Sequence, residues 1–282
     1  MPRSRPFIQC DVFTDTPTRG NALAVVLDGI DLSDEQMSAF ASWTNLAETT
    51  FLLPPQDPTA DYQLRIFTPS REMPFAGHPT LGSCAAWLHH GNTPKNPKIV
   101  RQECGVGIVD IKIDGDVPAF VAPPTRIKAM EKTECEVITK KLDIDIETVV
   151  ATAVLDNGPI WKVFELESAA QVLRIDSSKV RTPEDRPIGL IGAHPDKSEC
   201  AYEVRMLAPS SGMSEDPITG SLNSALAHWF QSRNQLPDAM IIAQGTTIGR
   251  QGRVFVTQDS QENNDVLIGG HSHILIAGTV SL

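Results

Sequence analysis

Hydrophobic and polar positions alternate along this chain in short β-type runs, interrupted twice by a helix with almost no polar face. Residues 7–13 and 22–28 read as strands joined by the turn-rich segment 14–21, which holds Pro17 and Gly20. Ser33, with Gln36 three residues on, forms a capping box. Met37, Phe40, Ala41 and Thr44 then fall at i, i+3, i+4 and i+7, one face of a helix expected to end near Asn45. Strands follow over 49–53 and 62–67. Residues 79–88 are apolar almost all round, with Gly82, Ala85 and Ala86 permitting close packing, which marks a buried helix.

The second half repeats this grammar. A strand is expected over 202–207, a loop over 213–217, and a helix over about 217–230 with a stripe of Leu222, Ala225, Leu226 and Trp229. Runs at 253–257, 266–268 and 274–280, around the polar turn 258–265, suggest a closing meander. Short strands surrounding one very apolar helix, twice over, predict an α+β architecture. The repeat can be laid out by residue. Arg65, Pro69, Ser70 and Met73 meet Arg205, Pro209, Ser210 and Met213 at an offset of 140 residues. The offset then drops to 138, so that Pro79, Gly82 and Ser83 meet Pro217, Gly220 and Ser221, with His78 opposite Asp216. Duplication into two similar domains follows, with a boundary near Pro123 and Pro124, ahead of the charged stretch 131–136.

Composition narrows the class. The 282 residues are 41% hydrophobic and 21% charged, ordinary for a globular chain and long enough for two domains. No apolar run approaches the roughly 20 residues a bilayer span needs, and no secretory leader is expected, so the protein is placed in the cytoplasm with no membrane partner. A net charge of −11 repels phosphate backbones and argues against a nucleic-acid partner. The five cysteines, 10, 84, 104, 135 and 200, are scattered and odd in number, as in a reducing compartment. His271 and His273 lack a third ligand, so no metal site is expected, and no Gly-rich nucleotide loop is present.

Candidate chemistry gathers at the helix starts. Each copy places a proline in the first turn of its buried helix, where the missing N–H costs nothing. Free amides there make an anion site, and two facing starts across a shared cleft would grip a carboxylate-bearing substrate. His78 and Asp216 stand at the cap positions. Glu48 lies between a helix end and an apolar strand, where partial burial would raise its pKa toward neutrality and suit it for proton transfer. Structural readings stay open beside these. Glu48 as a solvated charge, Asp216 as an N-cap, His78 bonded to its own turn and Ser221 satisfying helical amides all fit the residue types.

The segments Gly20-Asn-Ala-Leu-Ala-Val-Val-Leu-Asp28, Asn45-Leu-Ala-Glu-Thr-Thr-Phe51, Arg65-Ile-Phe-Thr-Pro69, Glu72-Met-Pro-Phe-Ala-Gly-His-Pro-Thr-Leu-Gly82 and Glu215-Asp-Pro-Ile-Thr-Gly-Ser221 resemble, in order and spacing, the PhzF family of phenazine-biosynthesis isomerases. Gly249-Arg-Gln-Gly-Arg-Val-Phe-Val256 fits as well, so the resemblance spans nearly the whole chain. It implies the diaminopimelate-epimerase-like fold, two pseudo-symmetric lobes each wrapping a strongly curved sheet around a central buried helix. The lobes would be 1–124, which the C-terminal strand 271–282 could complete, and 125–270. It further implies a homodimer and isomerisation of a small cyclic carboxylate, as for trans-2,3-dihydro-3-hydroxyanthranilate, with neither metal nor organic cofactor. By the same resemblance the catalytic residues are Glu48, His78 and Asp216: Glu48 moves a proton between two ring carbons, while His78, Asp216 and Ser221 orient the substrate's polar groups and help shuttle protons. Gly77 and Gly220 would let the backbone approach it. Three departures bear on the substrate: Ala22 where the family commonly has proline, Ala47 where a hydroxyl precedes the acid, and Leu222-Asn223 for a typical Ala-His. Alternatives are a catalytically silent ligand-binding protein and a racemase or epimerase of a small amino or hydroxy acid. A two-thiol version of the latter is disfavoured, because neither helix start carries a cysteine.

Overall fold

A computed structural model describes residues 2–180, 187–207, 214–259 and 264–282. The chain divides into two compact units, Met1–Val121 with Gly269–Leu282, and Ala122–Ile268. In the first unit the elements are β1 (Ser4–Val12), β2 (Asn21–Val26), α1 (Asp34–Thr44), β3 (Glu48–Leu53), β4 (Tyr62–Phe67), β5 (Glu72–Met73), α2 (Gly77–His89), β6 (Ile99–Cys104), β7 (Gly107–Lys112) and β8 (Ala119–Val121). The second holds β9 (Arg126–Lys128), α3 (Lys132–Leu142), β10 (Val149–Asp156), β11 (Ile160–Leu166), α4 (Ala169–Arg174), β12 (Ile188–Ala193), β13 (Tyr202–Leu207), β14 (Glu215–Asp216), α5 (Gly220–Ser232), β15 (Ala239–Gln244) and β16 (Gly252–Asp259), followed by β17 (Asp265–Gly269). The last strand, β18 (Ser272–Ser281), leaves the expected meander and pairs antiparallel with β1.

Pairing in the first unit runs β18–β1–β2–β3–β4–β6–β7–β8, with β2/β3 and β4/β6 parallel and the other pairs antiparallel. Helix α2 packs against β1, β2 and β18 and also against β8 at the other end of that order. One helix can reach both ends only if the sheet curls around it. Its burial from Gly77 to Cys84 follows, and explains why the sequence there has no polar face. Helix α1 covers the outside, packing Met37, Phe40 and Ala41 against Phe51 and Phe67. Its capping box forms as the sequence predicts, and Asn45 ends it in the left-handed conformation.

In the second unit the order is β9–β10–β11–β12–β13–β15–β16, with β11/β12 and β13/β15 parallel. The same succession of parallel and antiparallel steps recurs strand for strand, and α5 packs against β10 and β16. The architecture is α+β, with one buried helix inside each curved sheet. Helix α3 was hidden in the charged stretch; Ile138, Thr139 and Leu142 form its buried side. Among the described residues, no helix is long and apolar enough to cross a membrane.

The register of the duplication differs from the sequence alignment after the first strand. Phe67 pairs with Glu72 and Ile66 with Met73; in the second unit Leu207 pairs with Glu215 and Met206 with Asp216. Glu72 therefore corresponds to Glu215, Pro74 to Pro217, Gly77 to Gly220 and His78 to Ser221, an offset of 143 residues. The pairing of His78 with Asp216 is wrong, as is that of Pro79 and Gly82 with Pro217 and Gly220. The cause is a loop three residues longer before β14, where the alignment placed a two-residue deletion; its segment 208–213 lies outside the described residues, as does 260–263 of the polar turn. Two placements change with it. Pro217 precedes α5 rather than occupying its first turn, and residues 215–216 form a strand inside the expected loop. Nor do His78 and Asp216 sit at caps: the N-caps are Ala76 and Thr219.

Candidate active site

In the first unit the chain brings Glu48 and His78 together. The left-handed Asn45 reverses the backbone after α1, so that Glu48 opens β3 in register with Leu23 of β2. Thr44 and Thr49 hydroxyls meet at 2.8 Å across this reversal. Thr50 and Ser83 hydroxyls meet at 2.9 Å and tie β3 to α2. The result sets Oε2 of Glu48 3.4 Å from Nε2 of His78, with side-chain exposures of 17% and 5%. Glu48 is thus largely withdrawn from solvent rather than solvated. Burial pushes the His78 pKa down to about 3, so the ring is neutral near pH 7. On its other side, Nδ1 of His78 lies 3.4 Å from Nδ2 of Asn21, the first residue of β2. Gly77 is the first residue of α2, and no side chain caps that helix. Its opening amides are therefore not engaged by a cap, which suits an anion.

In the second unit, Asp216, Gly220 and Ser221 share the turn into α5, and all three are buried. The Thr219 hydroxyl donates to Oδ2 of Asp216. Gln244 of β15 organises the turn: Oε1 accepts from the Thr219 amide at 3.1 Å and from Nδ2 of Asn223 at 2.9 Å. Its Nε2 donates to Oγ1 of Thr219 at 3.0 Å and to the Asp216 carbonyl at 3.3 Å. Ser221 is fixed through its carbonyl, which accepts from Nδ2 of Asn157 at 2.8 Å. Beside Asp216, Glu215 is clamped by Arg205 at 3.0 and 2.7 Å.

Sequence reasoning missed Asn21, Thr219, Asn223 and Gln244 as site residues. Asn21, Thr219 and Asn223 lie in or beside recognised motifs without an assigned role; Gln244 had no local signal, since only strand pairing brings it to the turn. His271 and His273 do not converge on a metal: His271 faces Asp15 at 3.5 Å, and His273 donates to the Thr14 carbonyl at 3.0 Å. Among the described residues no group of three or more His, Cys, Asp or Glu side chains is arranged to hold an ion.

Over residues 10–278 the chain matches the family described as phenazine biosynthesis-like protein, PhzC-PhzF. Antisense-enhancing sequence 1 of Schizosaccharomyces pombe is 37% identical, with 96% of this chain and 97% of that protein covered. The trans-2,3-dihydro-3-hydroxyanthranilate isomerase of Pseudomonas aeruginosa is 32% identical over 262 residues, 88% of each chain. Among solved structures, a PhzF-family phenazine biosynthesis protein of Bacillus anthracis superposes with a TM-score of 0.82 at 20% identity, covering 99% of both chains.

Proposed function

This chain belongs to the phenazine biosynthesis-like (PhzF) family of isomerases, and from that premise we propose that it moves a proton on a small cyclic carboxylate without a metal or organic cofactor. Glu48 takes the proton from one carbon, the electron pair shifts through the adjacent double bond, and Glu48 returns the proton to a second carbon. His78 and Asp216 help carry protons and, with Ser221, orient polar groups of the substrate, while the backbone at Gly77 and Gly220 allows a ligand to approach.

The single observation that carries this reading is the one-sidedness of the chemistry. Thr49 faces Phe67 and Ile188 faces Leu207, so Glu48 corresponds to Pro187 in the duplicated unit. His78 corresponds to Ser221. The second unit therefore repeats the scaffold with no carboxylate at the position of Glu48; its own buried Asp216 takes the position of Met73 instead. One carboxylate that removes and returns a proton suits an isomerisation, whereas a racemase needs an acid–base group on each side of its carbon. The two-thiol alternative is further weakened because burial pushes Cys10 and Cys84 up to about 12, and neither is at a helix start. A cytoplasmic homodimer without nucleic-acid partners completes the proposal; five free cysteines support the reducing compartment, a net charge of −11 supports the absence of nucleic acid, and the dimer rests on the family resemblance alone.

The test is turnover of trans-2,3-dihydro-3-hydroxyanthranilate, followed by absorbance and by proton NMR in D₂O. Wild type is expected to convert it and Glu48→Gln to lose activity by at least about a hundredfold. Turnover undiminished in Glu48→Gln would remove Glu48 from the mechanism. No turnover by wild type would overturn the substrate, and a screen of cyclic carboxylates would follow.

A further inference from the structure

Asn21 sits behind the candidate acid–base pair and is 2% exposed. Its Nδ2 approaches Nδ1 of His78 at 3.4 Å. With its amide nitrogen turned toward the ring, Asn21 donates and the contact pairs it with a lone pair on Nδ1. In a neutral imidazole the proton then resides on Nε2, the nitrogen 3.4 Å from Oε2 of Glu48. The opposite tautomer would turn the Nε2 lone pair against the carboxylate and leave Nδ1–H facing a second donor.

The residue before Asn21 is held by a buried group that the proposed reaction does not use. Asp11, 1% exposed on β1, accepts the Gly20 amide at 2.9 Å through Oδ2. A Cβ at position 20 would lie 2.4 Å from the Val12 carbonyl oxygen and 2.9 Å from Oδ1 of Asp11, so only glycine allows this approach. The β1/β2 register then sets Asn21 opposite Val12.

We propose that Asn21 is a positioning residue that selects the Nε2–H tautomer of His78 and so presents an N–H, on a buried nitrogen that makes no hydrogen bond among the described residues, toward Glu48. The role rests on the assignment of Glu48 as the acid–base group, and its test reads His78 directly so that the two can fail separately.

The experiment is ¹⁵N NMR of the full-length protein labelled in its histidine rings, with His78→Gln to assign the signal. Wild type is expected to show a neutral Nε2–H ring at pH 7. In Asn21→Asp a carboxylate replaces the donor, and the proton is expected to move to Nδ1. With substrate, kcat of Asn21→Asp is expected to fall about 10²-fold or more, as a wrong tautomer does elsewhere, while KM changes less than about threefold. A charged or Nδ1–H ring in wild type overturns the proposal even if the variant does not fold. So does an Asn21→Asp variant that keeps Nε2–H. The expected tautomers with no turnover by any protein would support the positioning of His78 and count against the reaction instead.

Discussion

Nε2 of His78 and Oε2 of Glu48 lie 3.4 Å apart, and the contact joins a neutral ring to a carboxyl group rather than an imidazolium to its counter-ion. The distinction follows from burial, which disfavours the charged ring. A neutral ring has one proton to offer, so the direction of that proton matters to whatever Glu48 does.

Stability should carry a signature of this burial. Below pH 6.5 the unfolded chain takes up a proton on His78 that the folded chain refuses until about pH 3. Stability therefore falls as pH drops through that window, by about 1.4 kcal/mol per unit from this group alone. Urea unfolding at pH 6.5 and pH 5 is expected to show about 2 kcal/mol more loss in wild type than in His78→Gln. Equal losses would mean that His78 titrates in the fold near its ordinary value.

The duplicated Arg–Glu pairs offer a second check. Arg205 and Glu215 side chains are 2% and 0% exposed, whereas Arg65 and Glu72 are 23% and 43% exposed. Removing one partner of the buried pair strands a charge, and Glu215→Ala is expected to cost about 3–5 kcal/mol. Glu72→Ala should cost about 1 kcal/mol or less, because water replaces the lost partner. Comparable losses at the two positions, measured by chemical denaturation, would refute the contrast.

Gly82 should tolerate no side chain. A Cβ there would lie 2.6 Å from Cδ2 of Leu23, 2.8 Å from Cγ2 of Val12 and 3.0 Å from Sγ of Cys10. Overpacking typically costs about 1–3 kcal/mol, and the helix-propensity gain of alanine returns up to about 1 kcal/mol. Gly82→Ala is thus expected to be destabilised by about 1–2 kcal/mol, read as a lower urea midpoint with unchanged slope. The corresponding residue of α5 is Ala225, so a variant as stable as wild type would show that β1 and β2 can yield as their counterparts do.

Much of this was legible where local physics decides. Ser33 and Gln36 announced α1 because a capping box involves residues three apart, and the apolar run before Trp87 announced a buried helix because burial removes the need for a polar face. The duplication was legible as grammar but not as register. Arg65 and Arg205 are true counterparts, yet proline and glycine recur often enough that a false pairing of Pro79 with Pro217 looked as good as the true pairing of Pro74 with Pro217. Glu72 and Glu215 mark the true register, each pairing with an arginine seven or ten residues earlier. In α3 the spacing of Cys135, Ile138 and Leu142 was available, obscured by the charges around it. Asn21 stood in a recognised motif, but its hydrogen bond to a histidine 57 residues away is a product of the fold.

Gln244 is the furthest from any local signal, and its replacement makes the sharpest demand on the second unit. It is wholly buried, and its amide makes four hydrogen bonds, two through oxygen and two through nitrogen. Because Gln244 donates to Oγ1 of Thr219, the hydroxyl proton of Thr219 is left to point at Asp216. Gln244→Glu keeps the shape and removes the donors, so Oγ1 of Thr219 and the Asp216 carbonyl would each face an oxygen. At about 1–3 kcal/mol for each buried group left unpaired, a loss of about 2–5 kcal/mol is expected, with the charge itself adding to it at high pH. Protonation of the new carboxyl restores one donor, so the deficit should shrink as pH falls, opposite in sign to the His78 effect. Urea unfolding of Gln244→Glu from pH 8 to pH 5 would show this as a narrowing gap to wild type. A gap below about 1 kcal/mol at pH 8 would mean that the turn into α5 holds Asp216 without Gln244.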